Sequence, residues 1–312
     1  MQIVYYPENN EYSFKPSVIA LGFFDGVHKA HRKILSEAKK LADSMELELS
    51  VFTFPSESES IKSKSPRIYS TEQKLSLLEE CGADTVILCD FSSVCGLSAD
   101  GFSTLLRERF MCRGAVCGFN FRFGKDALGD AQLLKSSLAL HGIPTVAVGE
   151  VVYRGVSLSS TYIRELLTHG RIDEANDALG KPYFTEGTVE RGIGIGHGIG
   201  IPTVNTPLTP SLSLLPRGVY ETLCLAEGKL FPALTNIGSC PTFGERPPHV
   251  ETYLLDFNGN LYGKQVRLYF LSFIREEIGF PDSESLIKQI ELDKKRVREG
   301  QRSKKWLMTG LK

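Results

Sequence analysis

The sequence has no C-x-x-C pair: its seven cysteines (Cys81, Cys89, Cys95, Cys112, Cys117, Cys224 and Cys240) are odd in number and scattered. That pattern argues against a disulfide framework and a structural zinc site, and fits reduced thiols in the cytoplasm. No apolar run reaches the length of a membrane span. The opening residues lack the charged-then-apolar order of a signal peptide, so no targeting segment is expected. Charge of one sign is also missing: 36 Lys+Arg against 37 Asp+Glu leaves a formal net charge of -1. A broad basic face for nucleic acid is therefore not expected. What is present is ordinary globular composition, 42% hydrophobic and 23% charged, over 312 residues. That length predicts two compact domains.

The first half alternates strand-like and helix-like runs. A short apolar run over 17–22 precedes a helical pattern carrying Ile34, Leu35, Ala38 and Leu41. A strand over 47–54, a polar loop over 55–66, a helix over 71–81 and a strand ending at Cys89 follow. A helix near 98–110 and strands at 114–119 and about 143–152 complete it. Such alternation predicts a parallel sheet built from crossover units, with 55–66 mobile. One helical run is expected from Thr161 to about Leu179. Beyond it, short strands at close spacing, with turn signals such as Asn258-Gly259, predict a small antiparallel barrel closed by a helix over about 283–298. The expected boundary lies near residue 180, giving domains 1–180 and 181–312.

Two segments of the first half carry candidate chemistry. The turn Gly22-Phe23-Phe24-Asp25-Gly26-Val27-His28-Lys29-Ala30-His31 joins the first of these strands to its helix, where backbone N–H groups favour an anion. His28 and His31 are three residues apart, so both can lie on one side of the opening turn and donate to a phosphate. The spacing alone is equally compatible with two exposed helix histidines, and two histidines are too few to define a metal site. Downstream, Ser159, Ser160 and Thr161 precede a helical run as ordinary caps would, and Arg164 lies one turn in, where a guanidinium could hold a phosphate.

These residues make the chain resemble, along nearly its whole length, the bacterial bifunctional riboflavin kinase/FAD synthetase family. The first turn is similar to that family's G-N-F-D-G-x-H-x-G-H, residues 158–164 to its I-S-S-T-x-I-R, and 117–130 to its G-x-[ND]-[FY]-x-F-G-K-x-x-x-G-D. In the second half 192–205 (GIGIGHGIGIPTVN) resembles G-x-x-x-G-R-x-L-G-F-P-T-A-N. NIGSCPTFG, VETYLLDF, NLYGK and IREEIGF then follow in the family's order. The resemblance implies an α/β Rossmann-like nucleotidyltransferase domain plus a small antiparallel β-barrel riboflavin kinase domain with a C-terminal helix. It implies phosphorylation of riboflavin to FMN and adenylylation of FMN to FAD, with ATP as co-substrate and Mg2+ as cofactor. His28 and His31 would stabilise the reacting α-phosphate, with Gly22, Phe24, Asp25, Ser160, Thr161 and Arg164 binding ATP and Asn120 and Lys125 the flavin nucleotide. In the kinase, Gly192, Gly194, Gly196, Gly200, Thr203 and Asn205 would bind ATP, and Arg275 and Glu276 the flavin. Glu251, in the family's V-E-x-H segment, would be the general base.

Every second residue from Gly192 to Gly200 is glycine, and the run matches neither G-x-G-x-x-G nor the P-loop. It reads as a flexible edge hairpin or as a flap whose amides close over a triphosphate. Thr203 and Asn205 supply a hydroxyl and an amide oxygen two apart on one strand, suited to Mg2+ held jointly with phosphate. Without the neighbouring motifs Glu251 would be a solvent-facing strand residue. The chain departs from the family at Phe23 (Asn), Ala30 (Gly), PSESES (a Pro-His-Pro segment), His197 (Arg) and Tyr253 (His). Three of these five lie in the first half, so the adenylyltransferase is expected to be the weaker activity. A monofunctional riboflavin kinase and a non-catalytic flavin- or nucleotide-binding regulator are the competing readings.

Overall fold

The computed structural model describes residues 1–9, 11–57, 66–191, 203–238 and 249–309. The chain divides into Met1–Ser160 and Thr161–Lys312. The position near 180 expected as the boundary is the left-handed cap Gly180 (φ 86°) of the helix Ile172–Leu179, which packs on the strands Tyr183–Thr188 and Gln265–Arg275.

In the first unit β1 (Gln2–Tyr6), β2 (Ser17–Leu21), β3 (Glu48–Thr53), β4 (Thr85–Cys89), β5 (Cys112–Gly118) and β8 (Thr145–Val148) form one parallel sheet, in the order β1-β4-β3-β2-β5-β8. β2 and β4 are buried at every residue, which is why their sequences are continuous apolar runs and not alternations. The minor pairs β6 (Arg122–Phe123) with β7 (Gly129–Asp130), and β9 (Val152–Tyr153) with β10 (Val156–Ser157), are antiparallel. Helices α1 (Lys29–Ser44), α2 (Thr71–Glu80), α3 (Ala99–Thr104) and α4 (Ala131–Ala139) connect the strands. α1 buries Ile34, Leu35 and Ala38 as its periodicity predicts, with Ala42 the fourth buried residue and Leu41 half-buried beside it. α2 opens with a capping box in which Ser70 and Gln73 exchange side-chain-to-backbone bonds.

Three local expectations are corrected. The helix near 98–110 ends its α turns at Thr104 and widens into a π-helical turn over Leu105–Arg109. The strand about 143–152 stops at Val148, and Val152 begins the β9–β10 hairpin. The run from Thr161 to Leu179 is two helices, α5 (Ser160–Thr168) and α6 (Ile172–Leu179), broken at Gly170 (φ 67°), a backbone region where only glycine is unstrained.

The second unit is a six-stranded antiparallel sheet of β11 (Tyr183–Thr188), β12 (Val204–Thr206), β13 (Gly218–Ala226), β14 (Lys229–Gly238), β15 (His249–Leu254) and β16 (Gln265–Arg275). Its order is β11-β16-β13-β14-β15-β12. A bridge between Glu190, just past β11, and Asn205 of β12 joins its two ends into a barrel, with the Glu190 N–H donating to the Asn205 carbonyl at 2.9 Å. Inside, Thr222, Thr235 and Thr252 are fully buried and linked hydroxyl to hydroxyl at 2.9 Å each. The helices Ser283–Glu299 and Gln301–Thr309 follow the last strand. Glu221, 4% exposed, accepts from the Ser272 and Ser303 hydroxyls at 3.0 and 2.7 Å and so ties the final helix to the barrel.

The six described cysteines are free. Burial pushes the thiols of Cys89, Cys112 and Cys224 up to about 12 and that of Cys117 to about 11, so they remain protonated and inert. Among the described residues no helix is long and apolar enough to cross a membrane.

Candidate active sites

The order of the parallel sheet reverses at β2, which has β3 on one side and β5 on the other. Open parallel sheets bind ligands outside the carboxyl ends of their strands at such a switch. A cavity of about 860 Å³ lies there in the first unit, lined by Leu21 at the end of β2 and Gly22 after it, Phe54 after β3, Phe119 and Asn120 after β5, and Gly149 after β8. His28, Ala30, His31, Ser159 and Ser160 form one part of its wall, and Phe52, Phe54, Phe91, Phe102, Phe121 and Phe123 another.

The two histidines are brought together as their spacing predicts. His28 is the N-cap of α1, its Nδ1 accepting from the His31 N–H at 3.4 Å. That bond leaves the proton on Nε2 of the neutral ring. The imidazoles stack at 3.7 Å and 16°, and the Phe24 ring meets His31 edge-on at 5.3 Å. Nε2 of His28 and Nδ1 of His31 are buried and have no hydrogen-bond partner. Burial lowers the His28 pKa to about 4 and holds His31 well below its ordinary value, with the His28 and Lys74 charges acting in the same direction. At neutral pH the site therefore presents two uncharged imidazoles with spare donor and acceptor capacity.

This pair carries a pH dependence. Between about pH 6.5 and 4 an unfolded His28 binds a proton that the folded site rejects, so stability is present above this window and falls as pH drops through it. From pH 7 to pH 5 the wild-type first unit should lose about 2 kcal/mol more than His28→Gln. Urea unfolding followed by hydrogen exchange in β2 and β3 peptides measures this, and equal losses would refute it.

Other predicted residues are placed differently. Gly22, Asn120 and Ser160 line the cavity; Phe24, Asp25 and Lys125 do not. Phe24 is fully buried and packs beneath the turn. The Asp25 carboxylate accepts from the Ile68 N–H at 3.0 Å, and its carbonyl accepts from the Ser160 hydroxyl at 2.8 Å, so Asp25 holds the turn together. Thr161 and Arg164 follow on the first turns of α5. The phenylalanine lobe escaped sequence reading because its members come from four separate segments and each alone reads as core.

In the barrel, Glu251 lies in register between Asn205 on β12 and Asn236 on β14. The alternation of β15 turns Val250, Thr252 and Leu254 inward, and His249, Glu251 and Tyr253 to the other face. His249 Nε2 stands 3.4 Å from the Glu251 carboxylate, and Asn236 donates to Glu277 at 3.2 Å. Glu277 seats against Gly238, where a Cβ would stand 2.0 Å from its carboxyl carbon. Asn236 and Glu277 join the site unanticipated; the signal was their place in NIGSCPTFG and IREEIGF. Arg275 pairs with buried Asp293 at 2.9 Å and fixes the helix Ser283–Glu299, while Glu276 is exposed. Thr203 immediately precedes β12. Gly192, Gly194, Gly196, Gly200 and His197 lie outside the described residues, as does most of loop 55–66.

Among the described residues no group of three or more His, Cys, Asp or Glu side chains could hold a metal ion by itself. The oxygens of Thr203 and Asn205 are hard donors, two in number, and fit an ion whose remaining ligands are phosphates and water.

A parallel-sheet unit with a histidine turn at its switch point, followed by a closed antiparallel barrel with a strand carboxylate, defines a two-domain nucleotide-dependent transferase architecture. The FAD synthetase family model matches residues 10–162 and the riboflavin kinase model residues 179–300. The bifunctional riboflavin kinase/FMN adenylyltransferase of Bacillus subtilis (strain 168) is 35% identical over 286 residues, covering 89% of this chain and 90% of its own. That of Escherichia coli (strain K12) is 33% identical over 289 residues, covering 90% and 92%. A crystal structure from Streptococcus pneumoniae, described as a macrolide-efflux protein, superposes with a TM-score of 0.87 at 27% identity, covering 96% of this chain and all of its own. The chain belongs to the bifunctional riboflavin kinase/FMN adenylyltransferase family.

Proposed function

We propose that this chain makes FAD from riboflavin in two ATP-dependent steps, FMN adenylylation being served by residues 1–180 and riboflavin phosphorylation by 181–312. Its substrates are small molecules, riboflavin, FMN and ATP, and the cytoplasm, where ATP is abundant, is its expected site.

In the first step the ribityl 5′-hydroxyl attacks the γ-phosphorus of ATP. The new O–P bond forms as the bond to ADP breaks, and Glu251 takes the hydroxyl proton. Its register beside Asn205 supports that role. Thr203 and Asn205 would hold Mg2+ with the nucleotide phosphates, where the ion supplies charge neutralisation. Arg275 and Glu276 are assigned to the flavin side, Arg275 through the strand end that its Asp293 pair fixes.

In the second step an FMN phosphate oxygen attacks the α-phosphorus of a second ATP and pyrophosphate leaves. His28 and His31 donate to the α-phosphate as its charge grows, while Ser160, Thr161 and Arg164 hold the nucleotide phosphates. The phenylalanine lobe suits a flat isoalloxazine, with Asn120 at its edge. The observation that carries the reading is the buried imidazole pair, with His28 Nε2 and His31 Nδ1 lacking hydrogen-bond partners, on the wall of a cavity with an aromatic lobe. Product analysis with riboflavin and Mg-ATP tests it: FMN plus FAD supports it, FMN alone gives the monofunctional kinase, and neither gives the regulator.

Ala30 lines the cavity beside His31, so its methyl occupies space a glycine would leave open. Ala30→Gly is expected to raise FAD formation roughly threefold or more, relieving overpacking against nucleotide. An unchanged or lower rate from FMN and Mg-ATP would dismiss crowding at this position.

A further inference from the structure

Lys74 on α2 is fully buried, an unusual place for an ammonium group. It does not line the cavity; it lies behind the wall. Its Nζ donates to the carbonyl of Phe54 and, at 3.5 Å, to that of Phe23, and stands 4.8 Å from the centre of the Phe23 ring. Phe23 follows β2 and Phe54 follows β3, so one cation joins the carboxyl ends of two adjacent strands at the switch point. Thr53 donates to the same Phe23 carbonyl at 2.9 Å, and the Arg67 guanidinium lies 4.7 Å from the Phe23 ring. Phe23, Phe54, Gly22 and His31 all line the cavity.

We propose that Lys74 is a positioning residue for adenylyl transfer: its ammonium ties the Phe23 and Phe54 carbonyls together and so fixes the backbone that carries Gly22 and the histidine pair. The inference rests on the adenylyl-transfer reading of this cavity. An ammonium can reach two carbonyls and a ring face at once, whereas a neutral amine keeps fewer donors and loses the attraction to the ring. The charged and titratable groups facing Lys74 are Asp25 after β2, Glu57 after β3, Arg67 ahead of α2 and His31 on α1. Burial outweighs the two carboxylates and brings the Lys74 pKa down to about 8. Losing that proton at mildly alkaline pH would untie the strap, although the fold itself would be relieved of a buried charge.

The test is FAD formation from FMN and Mg-ATP, with riboflavin phosphorylation as internal control, from pH 6.5 to 9.5 in wild type, Lys74→Arg and Lys74→Met. Wild-type kcat for FAD should fall above pH 8, by at most about tenfold per pH unit, and level off no lower than the Lys74→Met value. Lys74→Arg, charged throughout, should lose this limb. Lys74→Met should have a kcat lower by roughly tenfold or more below pH 8, with little change in KM for FMN, because Lys74 touches no substrate. A limb that persists in Lys74→Met, or wild-type turnover in that variant, would overturn the proposal even if Lys74→Arg fails to fold. If wild type makes FMN but no FAD, the adenylyl reading itself has failed. The strap is then read from Mg-ATP binding by calorimetry, where affinity must weaken above pH 8 in wild type and not in Lys74→Arg; identical profiles would reject it.

Discussion

Glu251→Gln is expected to lower FMN formation by about two to four orders of magnitude while FAD formation from supplied FMN is unchanged. Glutamine keeps the size of the side chain and its hydrogen bonding to neighbours but cannot take the 5′-hydroxyl proton. The barrel should tolerate the change, because Glu251 projects from the face of β15 opposite its buried residues Val250, Thr252 and Leu254. His249, 3.4 Å away, would lose a charged partner, a minor cost at a partly exposed pair. Assaying both products in one preparation separates a chemical defect from a folding one. Near-normal phosphorylation of riboflavin in Glu251→Gln would remove Glu251 from the base position.

His31→Ala should produce the opposite pattern, FAD formation lowered about a hundred- to a thousandfold with FMN formation preserved. Removing one preorganised donor aimed at a reacting phosphate costs about 3–4 kcal/mol of transition-state stabilisation. His31 is the cleaner of the two histidines to remove, since His28 also caps α1 and His28→Ala would give up part of that helix start. His28→Asn, which retains a capping oxygen, isolates the loss of the Nε2 donor. Equal loss of both products in His31→Ala would mean that the two activities do not reside in separate sites.

Much of this was legible because phosphate chemistry is written locally. A turn between a strand and its helix carries Gly22, His28 and His31 within ten residues, and the place of His28 as N-cap with His31 in the first turn of α1 brings the two imidazoles together. Glu251 and Asn205 were harder: 46 residues separate them, and only the register of β12 against β15 puts them side by side. Lys74 and the phenylalanine lobe were illegible for a different reason. A lysine on an amphipathic helix reads as solvent-facing, and Phe54, Phe91, Phe102 and Phe123 each read as core; burial of one and convergence of the others are properties of the assembled sheet. β1 carried no distinguishing pattern, with Ile3 and Tyr5 exposed at the sheet's edge. Arg275 was visible as a member of the IREEIGF motif, but its pairing with Asp293 on the following helix was not, because that partner lies 18 residues further along the chain.

The line of three threonine hydroxyls through the barrel acts as an indexing pin. Apolar side chains accept neighbours of many shapes, but a chain of hydroxyl bonds demands fixed lengths and one oxygen at each station. Were β14 to slide by one residue, Leu234 or Asn236 would arrive where Thr235 stands, and the Thr222 and Thr252 hydroxyls would both be stranded in the dry interior. Because side chains alternate along a strand, a similar slip of β15 would turn Glu251 inward and present Val250 or Thr252 in its place. The polar thread in the core thus keeps count for the carboxylate on the opposite face.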